Sequence, residues 1–371
     1  MFSSEAWLAN PGGDFYNGVA TQSVRFNLAD DANLNEDFSG AGNRKLWTFS
    51  TWFKRTNLVD GTLFAAYASA SVRDCIRVLS NVINFQLADG SETYNANSTA
   101  LLRDTSAWYH LVVQFNSADS TETNRTKMWI NGLPITLAES GDGIAAQNVS
   151  SSFGNDKYHT IGARRTSGTD NNLEFDGYMA DTHYVNGAAL DYTSFAEFKN
   201  GVLIPKAYSG SYGTNGFYFK YDQVGVGTAS TSTIGADISG NTNHFTSSNL
   251  VASDCAMPDS PENNFSTWNA LFRGGEQSAS IAATSTLLNG NLEVSVPTNS
   301  YMGNTFRPVS GKWYCEFRLK TLGDARGEID WGWFQATTYA GTTAHAGQAN
   351  KWGAYYHAYS TAHIQVSDET T

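Results

Sequence analysis

The sequence predicts an all-β protein made of antiparallel β-sandwiches, on three observations. Apolar and polar residues alternate with period two in many short runs, which is the pattern of half-buried strands. Turn-forming residues separate these runs, and the chain has 34 Gly but only 7 Pro, which suits tight turns between strands. Charged residues make up only 16% of the chain, so Asn, Ser, Thr, Gly and Gln must supply the polar surface.

The length of 371 residues exceeds that of one ordinary domain and predicts two. We expect an N-terminal arm at residues 1–20, a first sandwich at 21–205, an ordered connector at 206–275 and a second sandwich at 276–371. The second sandwich is predicted to be incomplete, because its series of strands is still running when the sequence stops at Thr371.

The strand patterns are strongest in the first sandwich. Asn131-Gly132 lies between two apolar runs and is the signature of a type I′ hairpin turn. Only residues 192–199 have a briefly helical pattern. The predicted strand segments are 46–53, 104–115, the hairpin 127–135, 160–163 and 175–185, followed in the second sandwich by 292–296, 311–319, 329–334 and 351–356.

The connector is rich in turn-forming residues, most of all at 237–243, Asp-Ile-Ser-Gly-Asn-Thr-Asn. Asp and Asn side chains in such a segment bind nearby backbone amides, and Gly supplies a positive φ. Phe245, Met257, Phe265 and Trp268 recur among the polar residues, which a free linker would not need. We therefore expect an ordered segment that packs against the first sandwich and sets the angle between the two domains.

The charge and the cysteines exclude several classes of protein. A net charge of −12 argues against a nucleic-acid groove, which needs clustered Lys and Arg. Cys75, Cys255 and Cys315 form no C-x-x-C pair, so we expect three buried thiols rather than a zinc site or disulfides. The first residues lack a secretory signal pattern, and no apolar run reaches transmembrane length, so membrane insertion is not expected.

Several runs carry a family resemblance. Trp47-Thr-Phe-Ser-Thr-Trp-Phe-Lys, Trp108-Tyr-His-Leu-Val-Val, Met128-Trp-Ile-Asn-Gly-Leu-Pro and Phe175-Asp-Gly-Tyr-Met-Ala-Asp resemble successive strands of a laminin-G-like, concanavalin-A-type jelly roll. Gly311-Lys-Trp-Tyr-Cys-Glu-Phe and Ile329-Asp-Trp-Gly-Trp resemble the first half of a SPRY domain. The resemblance implies a jelly-roll sandwich, then a partial SPRY-like sandwich.

Four further segments resemble virion proteins of marine bacteriophages. They are residues 23–27 (Ser-Val-Arg-Phe-Asn), 41–48 (Ala-Gly-Asn-Arg-Lys-Leu-Trp-Thr), 239–243 (Ser-Gly-Asn-Thr-Asn) and 261–267 (Pro-Glu-Asn-Asn-Phe-Ser-Thr). This resemblance implies a tail- or head-fibre protein of the virion, assembled in the host cytoplasm. It also implies an arm that docks to other virion proteins, a homo-oligomer with a trimer favoured, and binding to host-surface glycans.

Two other functions stay open beside attachment, a polysaccharide depolymerase and a capsid decoration protein without a ligand. A glucanase-type E-x-D-x-x-E signature begins at Glu328 and Asp330, but Trp333 occupies the position of the acid. The 7 histidines have no metal-binding spacing, and we expect His110 and His183 to be core or cross-strand residues. No catalytic residue is therefore predicted, and a Ser-His-Asp arrangement across the fold stays open.

A calcium site is the one metal site that the resemblance implies. Laminin-G-like domains often hold Ca²⁺ at the sandwich rim through Asp or Asn oxygens, and Asp176 and Asp181 flank the last predicted strand of the first sandwich. The alternative is that both residues cap strand ends. No cofactor is required otherwise. Glycan-binding residues are not singled out, because aromatic and amide side chains are frequent throughout the chain.

Overall fold

The computed structural model describes residues 15–141, 143–167, 171–275, 285–296, 300–306, 316–321, 329–332, 353–358 and 363–367. In the first 205 residues the strands are β1 (Val24–Phe26), β2 (Asn33–Asp37), β3 (Leu46–Arg55), β4 (Gly61–Tyr67), β5 (Val72–Leu79), β6 (Val82–Asp89), β7 (Thr93–Ser98), β8 (Trp108–Asn116), β9 (Thr126–Ile130), β10 (Leu133–Pro134), β11 (Leu137–Gly141), β12 (Tyr158–Ile161), β13 (Arg164–Arg165), β14 (Asn171–Asn172), β15 (Gly177–Asn186), β16 (Ala196–Lys199) and β17 (Val202–Pro205).

The later strands are shorter on average. They are β18 (Phe217–Phe219), β19 (Thr246–Ser248), β20 (Trp268–Gly275), β21 (Thr286–Leu288), β22 (Glu293–Ser295), β23 (Ser300–Asn304), β24 (Ile329–Gly332), β25 (Gly353–Ala358) and β26 (His363–Ser367). Single 3-10 turns occupy Leu28–Asp30, Glu122–Asn124, Tyr192–Ser194 and Ala252–Asp254. The predicted all-β class is confirmed. Across the described ranges, no helix is long and apolar enough to cross a membrane.

The chain divides into two compact units, Met1–Thr267 with Leu288–Asn291, and Trp268–Leu287 with Leu292–Thr371. In the second unit, β20 pairs with β23, and β24, β25 and β26 form an antiparallel sheet. Of the predicted strand 311–319, residues 316–319 have no regular structure and 311–315 lie outside the described residues. The arm predicted at 1–20 lies outside them up to residue 14. The domain boundaries proposed from the sequence stay a prediction.

The first unit is a sandwich of two antiparallel sheets. One sheet has the order β1-β15-β3-β8-β9-β10, with β18 also pairing with β15, and the other has the order β11-β7-β6-β5-β4-β12-β2-β19. The inward side chains of both sheets meet in one aromatic-rich core. Trp47 illustrates it, since its ring contacts those of Phe85, Phe115 and Phe153 at 5.1–5.4 Å.

Strand β3 shows how the sequence pattern creates the sandwich. Trp47, Phe49 and Phe53 point into the core and are fully buried, because successive side chains of a strand face opposite sides of the sheet. The side chains at the alternate positions, among them Trp52 and Lys54, lie on the outer face and are also buried. The seven-stranded sheet is therefore covered on both faces.

Two local predictions had different outcomes. Asn131 and Gly132 have φ of 51° and 76° between β9 and β10, as the type I′ hairpin requires, so that prediction is confirmed. The helical pattern over 192–199 was wrong beyond its first turn. Only Tyr192–Ser194 is helical, and Ala196–Lys199 pairs with β17 as a hairpin, so strand pairing outweighed the local helical pattern.

Residues 206–267 lie in the same unit as the sandwich and pack against it. Phe217, Phe219 and Phe245 belong to the main core, and β18 and β19 extend the two sheets. The predicted Asp237 turn is confirmed: its carboxylate accepts hydrogen bonds from the backbone N–H of Ser239 (2.8 Å) and Asn243 (2.9 Å). Gly240 has a φ of 94°. A role for this segment in setting an interdomain angle stays a prediction.

Buried ion pairs fasten the end of this segment to the seven-stranded sheet. The Lys54 ammonium lies 2.9 Å from Asp259 Oδ2 and donates to Asn264 Oδ1 (2.8 Å) and to the backbone carbonyl of Phe265 (2.7 Å). Burial lowers the pKa of Lys54, and the Asp259 carboxylate opposes this shift. The Arg25 guanidinium and Asp254 Oδ1 are 2.6 Å apart, and both of these side chains are also buried.

Replacing Lys54 with Met is expected to lower the free energy of unfolding by about 3–5 kcal/mol, because it leaves the Asp259 carboxylate buried without its counter-charge. Urea denaturation of the purified chain measures the change. The control is Lys157→Met, since Lys157 and Asp156 form an ion pair that is more than half exposed, where a change under about 1 kcal/mol is expected. Equal losses in both variants would contradict the assignment.

Candidate functional site

A row of amide side chains lies on the outer face of the eight-stranded sheet. On β6 and β7 the inward residues, among them Phe85 and Tyr94, pack in the core. Because strand side chains alternate between faces, the residues between them point outward. Four of these form what we call the amide ladder, in which Asn84 stands opposite Asn97 and Gln86 opposite Asn95.

Hydrogen bonds join the members of the ladder across the strands. Asn84 Nδ2 donates to Asn97 Oδ1 (2.9 Å) and to Asn95 Oδ1 (3.3 Å), and Gln86 Nε2 donates to Asn95 Oδ1 (3.3 Å). Asn84 is buried, whereas the other three amides are partly exposed. Asn97 Nδ2 also donates to the Ala138 carbonyl and to Ser140 Oγ on β11, both at 3.3 Å. Each amide offers two N–H donors, so among the described contacts the free N–H groups of the ladder lie on Asn95 and Gln86.

Two arginines flank the ladder on the neighbouring strand β5. Arg73 and Arg77 point to the same outer face, on either side of Cys75, because they are two residues away from it in each direction. Arg77 stands opposite Asn84 and its Nε donates to Asn84 Oδ1 (2.9 Å). The amide ladder is therefore bordered by β5, which carries two positively charged side chains on the same face.

A third arginine reaches this face from β13. The Arg164 side chain contacts the Cys75 thiol, and its Nε donates to Asn172 Oδ1 on β14 (3.2 Å). Burial lowers the pKa of the Arg164 guanidinium, and the positive charges of Arg77 and Arg73 lower it further. The Arg164 guanidinium thus lies close enough to Arg73 and Arg77 to be repelled by both.

The outer face of the other sheet holds a buried cluster of histidines. Ser50 Oγ lies 3.0 Å from His110 Nε2, and the His110 ring stacks on Trp52. His183 Nδ1 lies 2.8 Å from Tyr212 Oη. Its Nε2 is 3.2 Å from Asp181 Oδ1 but is not aligned for a hydrogen bond.

This cluster is enclosed rather than accessible. Burial lowers the pKa of His110 to about 3, so its imidazole is neutral at pH 7, and its Nδ1 has no hydrogen-bond partner among the described residues. Ser50 and His110 are 0% and 1% exposed. The Ser50–His110 pair therefore lacks both an orienting carboxylate and access for a substrate. As predicted, His110 and His183 are buried residues within strands.

A known protein family is similar to most of the first sandwich. Residues 22–191 match the family described as the concanavalin A-like lectin/glucanases superfamily, in its laminin-G branch. After this similarity, we call residues 22–191 the laminin-G-like domain. No curated protein matches the sequence.

Solved structures resemble this chain weakly. A heptameric SAP-like pentraxin from Limulus polyphemus is 16% identical over 47% of this chain and 79% of its own, with a TM-score of 0.36. Domains LG4-5 of the mouse laminin alpha1 chain are 17% identical over 53% of this chain and 51% of their own, with a TM-score of 0.35.

The predicted calcium residues lie apart in the laminin-G-like domain. Asp176 precedes β15 and accepts from Asn57 Nδ2, whereas Asp181 lies within β15 at a bulge opposite β3, with a φ of 49°. Five residues of extended chain place them about 16 Å apart, too far to bind one ion together. Among the described residues no group of three or more metal-binding side chains converges. A calcium site at either residue stays a prediction.

The structure also places some of the other residues that the sequence analysis named. Asp330 lies in β24 opposite His357, while Glu328 and Trp333 lie outside the described residues. Cys75 and Cys255 are buried free thiols, as predicted, and Cys315 lies outside the described residues.

A groove of about 300 Å³ opens between the two sheets at the edge formed by β9, β10 and β11. Met128, Ile135 and Leu137 contribute to its apolar floor, and Glu122 and Glu139 line its polar side. Burial raises the pKa of Glu139, and the neighbouring Glu122 charge adds to the shift.

Sequence reasoning missed the amide ladder, although its signal was present. Residues 82–88, Val-Ile-Asn-Phe-Gln-Leu-Ala, and 94–97, Tyr-Asn-Ala-Asn, alternate apolar residues with amides. The pattern shows two strands that each present amides on one face. Their adjacency, which makes the ladder, appears only in the sheet order.

The buried His110 is expected to make stability depend on pH. Its pKa is lowered on folding from an unfolded value near 6.5, so its contribution is complete above pH 6.5 and is lost as the pH falls. The free energy of unfolding should fall by about 2 kcal/mol from this residue between pH 6.5 and pH 5. Urea denaturation across that range measures it.

The control is His110→Gln, which cannot titrate and should show a shallower fall with acidification. Asp74 changes the stability in the opposite direction, because burial raises its pKa to about 7. Since both proteins contain Asp74, the difference between their pH slopes isolates the contribution of His110. Identical pH slopes would contradict the burial assigned to this imidazole.

Proposed function

We propose that this chain binds carbohydrate through the amide ladder of its laminin-G-like domain. The observation that carries the proposal is the partly exposed row of amides, in which Asn95 and Gln86 keep N–H donors without a partner among the described residues. Sugar hydroxyls both donate and accept, and amides match this pairing. The ladder lies on two core strands, which hold its geometry more firmly than a loop would.

The matched superfamily supports this proposal, since its description names lectins and glucanases. The family match covers the strands that carry the ladder, because β6 and β7 lie within residues 22–191. Binding by a few hydrogen bonds to one saccharide is weak, and several copies on one particle would strengthen it through avidity.

We further propose that glycan binding serves attachment of a bacteriophage to its host. The support is the resemblance of residues 23–27, 41–48, 239–243 and 261–267 to virion proteins of marine phages. In this proposal the chain is a tail or head fibre, a homotrimer that docks through its arm, with a SPRY-like second sandwich.

Immunogold electron microscopy of virions with an antibody to this chain tests the proposed attachment role. Label on a fibre supports attachment, label on the capsid shell supports the decoration role, and unlabelled virions contradict both.

A second candidate function is cleavage of a polysaccharide at the groove beside β11. Glycosidases use two carboxyl groups, one of them with a raised pKa, and Glu122 and Glu139 line this groove together. Both side chains are exposed, so the shift is screened by water and the binding proposal is preferred. Release of reducing ends from host polysaccharide that is abolished by Glu139→Gln would establish cleavage instead.

Replacing Asn95 and Asn97 together with Ala is expected to weaken glycan binding about tenfold, because each neutral hydrogen bond contributes about 0.5–1.5 kcal/mol. A glycan array identifies the bound sugar, and calorimetry with that sugar measures the change in Kd. The control is Gln147→Ala, an exposed amide outside the ladder, which should leave Kd unchanged. Equal Kd values for all three proteins would remove the ladder from the binding site.

A further inference from the structure

We propose that the amide ladder takes an acidic saccharide, whose carboxylate or sulfate groups bind Arg73 and Arg164, while the buried Arg77 adds positive charge beneath the amides. This inference rests on the proposed function and names the chemical class of its ligand. The guanidinium group is suited to both anions, because its planar fork of N–H donors can bind two oxygens at once.

The three guanidiniums form a row parallel to the amides. Arg73 and Arg77 stand four residues apart on the same face of β5, about 13 Å along the strand. Arg164 contacts Cys75, which lies midway between them. Gln86 and Asn84 follow opposite Cys75 and Arg77 on the next strand. A row of this length extends beyond one saccharide ring and fits an oligosaccharide with repeated acidic groups.

The positive charge of this row is not compensated by neighbouring carboxylates. None of the three arginines forms an ion pair within the described part of the chain, although the sequence contains 35 acidic residues. The Nε–H of Arg73 is also buried without a hydrogen-bond partner among those residues. Grouping partly desolvated like charges is unfavourable, and an anionic ligand would relieve it.

A glycan suits this face better than a nucleic acid does. Single-stranded nucleic acids bind on exposed aromatic rings that stack with bases, and the ladder itself consists of amides. Two rings lie beside Arg73 on this face: Tyr67, opposite it on β4, and Tyr158, opposite Tyr67 on β12. The Arg165 guanidinium covers the Tyr158 ring at 3.8 Å from its centroid. The amides and guanidiniums instead match hydroxyl and acidic groups.

Binding of the full chain to two matched pairs of polymers tests the inference. One pair is polygalacturonate and its carboxyl-reduced, neutral form, and the other is dextran sulfate and dextran. We expect the acidic member of at least one pair to bind at least roughly tenfold tighter than its neutral partner at low salt, and to weaken as NaCl is raised. The pair that responds distinguishes carboxylate from sulfate.

Three variants decide the role of the arginines. Arg73→Gln with Arg164→Gln should remove the preference for the acidic polymer, and Arg73→Lys with Arg164→Lys should keep its salt dependence while retaining the fold. The control Arg103→Gln changes an exposed arginine outside this face and should bind like the unmodified chain. Acid preference that persists in the double Gln variant overturns the inference.

The remaining outcomes separate the two proposals. If a neutral polymer binds as well as its acidic partner, and binding is lost in the Asn95→Ala, Asn97→Ala variant, the inference fails while the proposed function stands. If none of the four polymers and no glycan on the array binds, both fail. Tighter binding of a single-stranded oligothymidylate than of any acidic polymer would overturn the inference in favour of a nucleic acid.

Discussion

The structure of the first unit depends on neutralising cations that the seven-stranded sheet carries on its outer face. Lys54 lies on the central strand β3 and is fully buried there. A buried ammonium without a counter-charge costs several kcal/mol. Asp259 and the oxygens of Asn264 and Phe265 meet this requirement, and Arg25 has the same relation to Asp254. The sandwich therefore needs residues 254–265 in place, which makes this segment part of the fold.

Contacts within the first unit, two of them to these buried cations, involve each of the motifs that first suggested a family of virion proteins. Arg25 in residues 23–27 pairs with Asp254, and Asn264 in residues 261–267 contacts Lys54. In residues 239–243, the Asn241 and Asn243 amides donate to backbone carbonyls at positions 213–216. In residues 41–48, Gly42 lies so close to Asn186 that a Cβ would be 2.2 Å from its Oδ1. In the structure, these motifs make contacts that hold the first unit together.

Local pattern made some of the fold predictable. The aromatic alternation of β3 and the Asn131-Gly132 turn need only neighbouring residues, and both agree with the structure. The β-bulge that places Asp181 inside β15 depends on pairing with β3, which no local pattern reveals. The candidate site shows the same limit. The amides of β6 and β7 are visible in the sequence, but Arg164 joins them from a strand more than sixty residues further along the chain.

On β6 and β7, the inward-facing and the outward-facing residues are under different structural constraints. Ile83, Phe85 and Leu87 are committed to the core, and a change in their volume would be felt throughout the sandwich. Gln86, Asn95 and Asn97 instead lie on the outer face, where they form hydrogen bonds within the ladder and, from Asn97, to β11. Mutation can therefore exchange the outward residues while the inward residues keep the scaffold intact. A lineage that must follow a changing partner could diversify on this face at little risk to folding.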